Sequence, residues 1–259
     1  MLVTVLQCDI ASPDDVRRLI ARHIGSDLYV LPEMWTTGFT VEPEGVAVPE
    51  EQARRLMLQM AAECGSAVAG SLAVNDNGVY RNRFYFARPD GDISYYDKHH
   101  LFTLGGEHKH YIPGQERTIV EYEGVRFMLL TCYDLRFPVW SRYREDYDCI
   151  IYVANWPTLR IDAWRTLLKA RAIENQCYVV GSNRVSKETT TVKGKPGIRL
   201  FGGHSAIISP DGTTLCEASA DRQEAISTPP DMEALTKLRH KFPALNDRDI
   251  YTLCDIRRT

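Results

Sequence analysis

The sequence lacks the features that mark nucleic-acid-binding and membrane-spanning proteins. Its 31 Lys and Arg residues are balanced by 34 Asp and Glu residues, for a net charge of −3, and no long basic run gathers them. No apolar stretch approaches the roughly 20 residues of a membrane-spanning helix. The N-terminal residues show no cationic segment followed by a long apolar one, as a signal peptide has. We therefore expect no binding to nucleic acid or to a membrane.

Motifs for disulfides, metals and nucleotides are missing as well. The seven cysteines are scattered without a CxxC pair, which argues against a disulfide framework and a compact zinc site and indicates a reduced, cytoplasmic protein. Histidines occur at positions 99, 100, 108 and 110, yet no HExxH motif supports a metal. FGGHS holds neither a GxGxxG nor a P-loop pattern. We expect neither a metal nor a cofactor.

The sequence does contain apolar runs that alternate with helical patterns along its 259 residues. This alternation predicts an α/β protein, which we treat as a single domain spanning 1–259, with its chemistry at strand ends. SPDD is a helix start, with Ser12 as the N-cap and Pro13 in the first turn. The polar stretch Ser186–Arg199 is predicted to be a loop. Helices are expected at 14–24, 50–65, 138–146, 162–176 and 231–241.

Three polar residues follow apolar or aromatic runs. Glu33 ends YVLPE, Lys98 ends SYYDK and Cys132 ends FMLLTC. If these strand ends converge, the carboxylate can take the thiol proton and later deliver it to a leaving group. The ammonium can stabilise an oxyanion, and the backbone N–H of Tyr133 is a second oxyanion donor. The competing interpretation is that Cys132 is a small buried hydrophobe and that the two charges lie in solvent or pair elsewhere.

The short segments around these three residues resemble known sequence motifs. LPEMWTTGF, YDKHHLF and LTCYDLRFP, in that order, resemble the signature segments of the nitrilase, or carbon–nitrogen hydrolase, superfamily. The resemblance implies Glu33 as general base, Lys98 as oxyanion-stabilising lysine and Cys132 as nucleophile. It also implies that Glu107, in GGEHKHYIPG, is the second glutamate of the site. The implied fold is a four-layer αββα sandwich, and the implied assembly is a homodimer formed through a helical face.

Within that superfamily the sequence is most similar to the omega-amidase branch. CYDLRFP, ANWP and LLKARAIENQCYVVGSNRV carry this similarity. The resemblance implies a cysteine-dependent amidase that hydrolyses the terminal amide of 2-oxo acid omega-amides, such as 2-oxoglutaramate and 2-oxosuccinamate. The products would be a dicarboxylate and ammonia, formed through a thioester intermediate.

A substrate with a carboxylate at its far end needs a cation to hold that end. Arg136 lies four residues after Cys132, and a guanidinium matches a carboxylate bidentately. The alternative for Arg136 is a structural ion pair with Asp134. Trp156 and Phe102 are candidates for the pocket wall, or else plain core aromatics. If Ser186–Arg199 folds over the pocket, it could change the specificity.

The sequence also leaves other functions open. The substrate could be a different carboxylate-bearing amide, such as deaminated glutathione or an N-carbamoyl amino acid, or a simple aliphatic amide. A non-catalytic scaffold of the same fold is disfavoured because Glu33, Lys98, Cys132 and Glu107 are all present. A glutaminase module that feeds a synthetase is disfavoured because the sequence shows no nucleotide-binding pattern.

Overall fold

The structure, a computed structural model, describes residues 1–192, 195–249 and 251–252, with only the backbone described at 190–192 and 195–196. The expected domain, 1–259, therefore includes residues outside this description, Cys254 among them. The strands are β1 Val3–Gln7, β2 Leu28–Val30, β3 Val48–Pro49, β4 Ala67–Asp76, β5 Val79–Ala87, β6 Ile93–Asp97, β7 Ile119–Tyr122, β8 Val125–Thr131, β9 Cys149–Ala154, β10 Tyr178–Asn183, β11 Val185–Val192, β12 Lys195–Gly202, β13 Ala206–Ile208, β14 Thr214–Glu217 and β15 Glu224–Thr228. The helices are α1 Pro13–Arg22, α2 Glu50–Cys64, α3 Pro138–Ser141, α4 Ile161–Asn175 and α5 Met232–Lys241.

Two large sheets form the centre of the molecule. The first has the order β15-β1-β2-β4-β5-β6, with β3 beside β4, and the second has the order β14-β13-β10-β9-β8-β7. In the first sheet β1, β2 and β4 are parallel, and in the second β8, β9 and β10 are parallel. Parallel strands end at the same edge of a sheet, so each sheet gathers several strand ends on one side.

Side-chain alternation in the first sheet divides its residues between two apolar layers. In β2, Leu28 and Val30 belong to the core between the sheets, whereas Tyr29 belongs to the layer beneath the helices. The same alternation separates Phe84 and Phe86 from the outward residues of β5. Helices α1 and α2 cover the outer layer with Val16, Ile20, Ala53, Met57 and Met60. Successive strand residues point to opposite faces, so both faces of this sheet are buried.

The second sheet is covered in the same way by α4. Trp164 and Leu168 of this helix are fully buried. A Cβ added to Gly181 of β10 would come within 2.9 Å of Trp164 and within 2.7 Å of Leu168. Only glycine allows this helix to pack so closely on the strand. The layers are therefore helix, sheet, sheet, helix, and the expected four-layer αββα sandwich is confirmed. No helix in the described part of the chain is long and apolar enough to cross a membrane.

Most of the predicted helices are present, but the one expected at 138–146 is much shorter. Helix α3 ends at Ser141, and Arg142 has the extended ψ of 131°. The reason is tertiary, because the backbone N–H of Tyr143 donates to the side-chain oxygen of Asn175 at 2.9 Å instead of continuing the helix. The start of α1 is confirmed, with Ser12 accepting from the N–H of Asp15 in a capping box.

The polar stretch Ser186–Arg199 is not a loop, so that prediction was wrong. Strands β11 and β12 pair in an antiparallel hairpin, from Val185 opposite Gly202 to Val192 opposite Lys195, with residues 193 and 194 outside the description. The polar composition of the stretch hid its β-branched residues, the threonines at 189–191 and the valine at 192. Such residues favour a strand even when the strand is exposed.

Candidate active site

The residues predicted to carry the chemistry come together at the ends of strands from both sheets. Glu33 follows β2 and Lys98 follows β6 in the first sheet, whereas Cys132 follows β8 in the second. Glu107 reaches the same place from the short 3₁₀ turn Glu107–Lys109. Glu33, Lys98 and Glu107 are at most 1% exposed. The convergence of these four side chains therefore depends on the two sheets packing together.

Lys98 lies between the two glutamates. Its Nζ is 3.0 Å from Oε1 of Glu33 and 2.9 Å from Oε2 of Glu107. Burial by itself would lower the pKa of this lysine, but the negative charges of Glu107 and Glu33 outweigh burial and raise the pKa well above its ordinary value. Lys98 is therefore a fixed, charged donor at neutral pH.

Glu107 is held by a backbone donor in addition to Lys98. Its Oε2 accepts from the N–H of Phe102 at 2.6 Å. Burial raises the pKa of Glu107, while the charge of Lys98 opposes that rise. The carboxyl group of Glu107 therefore has the role of a counterion within this buried cluster, and its position follows from Lys98 and the turn that carries it.

Asn82 bridges the two glutamates and was not predicted as a site residue. Its side-chain N–H group donates to Oε1 of Glu33 at 2.8 Å and to Oε1 of Glu107 at 3.1 Å. The hydroxyl of Ser71 donates to the oxygen of Asn82 at 3.0 Å, which fixes the orientation of the amide. A polar residue inside β5 was the one sequence signal, because buried polar groups need partners.

Asn155, which follows β9, fixes the position of Glu33. Its backbone N–H donates to Oε2 of Glu33 at 2.8 Å, and its side-chain N–H donates to the backbone oxygen of Glu33 at 2.6 Å. Both carboxylate oxygens of Glu33 thus have donors. This carboxylate is held in one orientation, with Asn155 from the second sheet on one side and Asn82 from the first sheet on the other.

Cys132 begins a tight turn and has an unusual backbone conformation. Its φ is +45°, in the left-handed region that residues with a Cβ seldom adopt. The turn Cys132–Arg136 is a 3₁₀ segment, and Asp134 stabilises it by accepting from the N–H of Thr131 at 3.0 Å. Burial, and then the charge of Glu33, raise the pKa of the Cys132 thiol well above its usual range, with Lys98 opposing them. The thiol is therefore protonated at rest and needs a base.

The backbone N–H of Tyr133 belongs to the first N–H groups of this 3₁₀ segment. Such groups have no acceptor inside their own helix. The ring of Tyr133 makes edge contacts with Phe102 at 5.2 Å and with Phe137 at 5.1 Å, which hold this part of the turn in place. The turn can thus present a backbone donor next to the sulfur atom.

A pocket of about 190 Å³ opens above Cys132 and Lys98. Phe102 and Trp156 lie in its wall, and Trp156 is 3% exposed. Three arginines line the pocket as well, namely Arg136, Arg160 and Arg199. Neither Arg160 nor Arg199 was predicted as a site residue. Their spacing in the sequence carried no signal, because they come from separate segments that only the fold brings together.

Arg136 lies over the ring of Trp156, with 4.8 Å between its Cζ and the ring centroid. The structural ion pair considered for it, with Asp134, is absent among the described residues. Asp134 instead accepts from the hydroxyl of Tyr96 at 2.8 Å, and His100 donates to it from its backbone N–H at 2.9 Å. Arg136 is therefore left to face the pocket.

Comparison with known proteins places this arrangement in a family. Residues 10–240 match the profile of the family described as Carbon-nitrogen hydrolase. The chain is 42% identical over 229 residues to Omega-amidase YafV of Escherichia coli K12, covering 88% of this chain and 87% of that protein. It is 36% identical over 235 residues to 2-oxoglutaramate amidase of Bacillus subtilis 168, covering 87% of each.

A solved structure leads to the same family. A carbon–nitrogen hydrolase superfamily protein from Xanthomonas campestris, which carries an arsenic adduct in its active site, superposes with a TM-score of 0.90 at 36% identity. The superposition covers 98% of this chain and 99% of that one. The family profile, the relatives and the shared fold agree, and the protein belongs to the carbon–nitrogen hydrolase family.

Proposed function

We propose that the protein is an omega-amidase, which hydrolyses the terminal amide of 2-oxo acids such as 2-oxoglutaramate and 2-oxosuccinamate. The observation that carries this proposal is the buried Glu33–Lys98–Glu107 cluster beside Cys132, at the base of a pocket lined by arginines. The names of the relatives from E. coli and B. subtilis support the same substrate class.

The first step forms a bond between the sulfur of Cys132 and the amide carbon. Glu33 takes the thiol proton as the sulfur attacks, and the electron pair of the carbonyl moves to its oxygen. The resulting oxyanion is stabilised by the ammonium of Lys98 and the N–H of Tyr133. The raised thiol pKa explains why this step needs a positioned base.

The second step breaks the carbon–nitrogen bond. The protonated Glu33 gives its proton to the amide nitrogen, ammonia leaves, and a thioester remains on Cys132. Water then attacks the thioester carbon while Glu33 takes a proton from it. The tetrahedral intermediate then collapses as its carbon–sulfur bond breaks, which releases the carboxylic acid. Glu33 returns its proton to the sulfur and restores the thiol. Each proton passes through the carboxylate of Glu33.

Glu107 holds Lys98 in place and acts as its counterion through the cycle. With two carboxylates around one ammonium, Lys98 cannot turn away from the pocket without leaving buried negative charge unpaired. Arg136, facing the pocket over Trp156, holds the carboxylate at the far end of the substrate. Phe102 and Trp156 exclude water around the chain of the substrate.

We further propose that the protein works in the cytoplasm as a homodimer formed through a helical face. All six cysteines in the described residues are free thiols, as is usual in a reducing compartment. The dimer rests on the family resemblance. Size-exclusion chromatography with light scattering should give twice the chain mass, and a monomer mass alone would contradict the dimer.

The substrate proposal is tested by ammonia release from a panel of amides. The panel contains 2-oxoglutaramate, 2-oxosuccinamate, glutamine, an N-carbamoyl amino acid and a neutral aliphatic amide. Fast release from the two 2-oxo amides, with little from glutamine, is the expected result. Activity on another member with none on the 2-oxo amides would refute the substrate and keep the amidase chemistry. No release from any member would favour a non-catalytic protein.

A further inference from the structure

The hairpin β11–β12 presents one of its faces to the pocket. Residues opposite each other in an antiparallel pair lie on the same face, and Glu188 is opposite Arg199 just as Ser186 is opposite Phe201. Phe201 is 3% exposed, and it lines the pocket together with Arg199, whose side chain is partly exposed to solvent, whereas the alternate residue Leu200 does not line the pocket. Ser186, Glu188, Arg199 and Phe201 therefore form the inner face of the hairpin.

This inner face is anchored to the body of the protein through Arg184. Its guanidinium contacts Oε1 of Glu188 at 2.6 Å and Oδ1 of Asp9 at 2.8 Å, and Asp9 also accepts from the hydroxyl of Ser186 at 2.9 Å. Glu188 is the cross-strand neighbour of Arg199, but its carboxylate is turned to Arg184. The hairpin is thus fixed in place, and its one inner acid does not neutralise Arg199.

Arg199 is one of three pocket arginines that have no carboxylate counterion among the described side chains. Among the described side chains, no carboxylate forms a salt bridge with Arg136, Arg160 or Arg199. Burial lowers the pKa of Arg160, and the positive charges of Arg136 and Arg199 lower it further. Three guanidinium groups around a pocket of about 190 Å³ repel one another, and an anion bound in the pocket would reduce this repulsion.

We propose that Arg160 and Arg199 select the substrate at its far end, where they favour 2-oxo acid amides and reject amides of amino acids. A 2-oxo acid presents a carboxylate and a neighbouring carbonyl oxygen, which are acceptors only and suit several guanidinium donors. Glutamine presents an ammonium group at the position of that carbonyl, and three arginines would repel it. This inference rests on the proposed amidase function and assigns its specificity to the hairpin.

The test compares kcat and KM for 2-oxoglutaramate, glutaramate and glutamine. The variants are Arg199→Gln, Arg160→Gln and Arg199→Lys, with Lys187→Gln as the matched control. Lys187 is exposed and lies opposite Leu200, on the outer face of the same hairpin. The control therefore removes one positive charge from the hairpin without altering the pocket. Thermal melting of each variant checks that the fold is kept.

Arg199→Gln and Arg160→Gln should each lower the ratio of kcat/KM for 2-oxoglutaramate over glutamine by about tenfold or more, mainly through KM. Glutaramate, which has the carboxylate but not the carbonyl, should lose less than 2-oxoglutaramate. Arg199→Lys should keep most of the selectivity, and Lys187→Gln should keep all of it. Equal losses on all three substrates, or an unchanged ratio, would overturn the proposal.

A binding measurement separates this proposal from the proposed function. Calorimetry with 2-oxoglutarate, which has the same far end and needs no turnover, is run on the wild type and the same variants. Binding that weakens in Arg199→Gln and Arg160→Gln supports the arginine selection even if no amide is hydrolysed. No binding to the wild type, or equal binding by all variants, would refute it whatever the activity.

Discussion

Removal of Lys98 should cost the protein both stability and catalysis. Replacing it with methionine keeps the apolar stem but leaves Glu33 and Glu107 buried side by side. Breaking a buried ion pair in this way costs about 3–5 kcal/mol of the free energy of unfolding. Activity should be lost as well, because Lys98 is the proposed oxyanion donor.

The loss of stability in Lys98→Met should depend on pH in a definite direction. Burial already raises the pKa of Glu107, and without Lys98 this pKa rises further. An acid whose pKa is higher in the folded state contributes stability below its unfolded pKa and loses it as the pH rises through the folded pKa. Denaturant unfolding of Lys98→Met should therefore show a larger deficit at pH 8 than at pH 5. An equal deficit at both would contradict the buried cluster, and Lys98→Met with Glu107→Gln should recover part of the stability at pH 8.

Asn82 offers a second test, because its amide donates to both glutamates. Asn82→Asp keeps the shape but replaces the donor with an oxygen that repels both carboxylates. We expect kcat for 2-oxoglutaramate to fall by about 100-fold or more, consistent with the loss of an orienting donor, with a smaller change in KM. Steady-state kinetics measures this, and Asn75→Asp, near the exposed end of the neighbouring strand β4, is a matched control. A kcat close to that of the wild type would show that Asn82 does not position Glu33.

These residues also show what a sequence can and cannot reveal. Glu33, Lys98 and Cys132 could be singled out because each follows an apolar or aromatic run and therefore lies at the end of a strand. Asn82 shows only as a polar residue inside the β5 pattern, and Asn155 holds Glu33 through both its backbone N–H and its side chain, which no local pattern indicates. Their roles arise from the approach of the two sheets, which depends on contacts between residues far apart in the chain.

Asp134 connects the turn that carries Cys132 to the neighbouring segments. Asp134 is fully buried and accepts from the backbone N–H groups of Thr131 and His100 and from the hydroxyl of Tyr96. Asp134→Asn replaces one accepting oxygen with an N–H donor that faces the other donors. The left-handed conformation of Cys132 then loses its support. We expect kcat to fall by a larger factor than KM for the amide rises, because the turn carries Cys132 and Arg136, whereas Phe102 and Trp156 of the pocket wall lie outside it. Steady-state kinetics and a near-ultraviolet circular dichroism spectrum check this, and an equal change in both constants would contradict it.

The hairpin and helix α3 are the elements that the sequence predicted least well. The polar residues of the hairpin predict a loop, although their β-branching favours strands. Helix α3 was predicted too long because helical spacing in 138–146 continues past Ser141, where Asn175 captures the chain. In α3 a tertiary contact overrode the local pattern, whereas in the hairpin the local preference of β-branched residues for strands was hidden by the polar composition. The α/β alternation and the longer helices were predictable because amphipathic periodicity alone identifies them.

The whole molecule combines a weakly acidic body, with a net charge of −3, and a cationic pocket. The pocket therefore attracts anionic amides at short range, and salt screens this attraction over a Debye length of about 10 Å at 0.1 M. We expect KM for 2-oxoglutaramate to rise several-fold, roughly 3- to 10-fold, between low and high ionic strength. KM for a neutral aliphatic amide should stay constant. If KM for the neutral amide rises as much as KM for 2-oxoglutaramate, the arginines do not act through their charge.

The proposed mechanism requires a covalent intermediate on one cysteine among the seven of the chain. The most direct measurement is mass spectrometry of the protein quenched in acid during turnover of 2-oxoglutaramate, followed by peptide mapping. We predict an acyl group on Cys132, absent from Cys132→Ala, whose ammonia release should fall by about 1,000-fold or more. Cys64→Ala, which changes a cysteine outside the pocket, should retain both the adduct and the rate. Ammonia release at the wild-type rate by Cys132→Ala, or an acyl group on another residue, would contradict the assignment of Cys132 as the nucleophile.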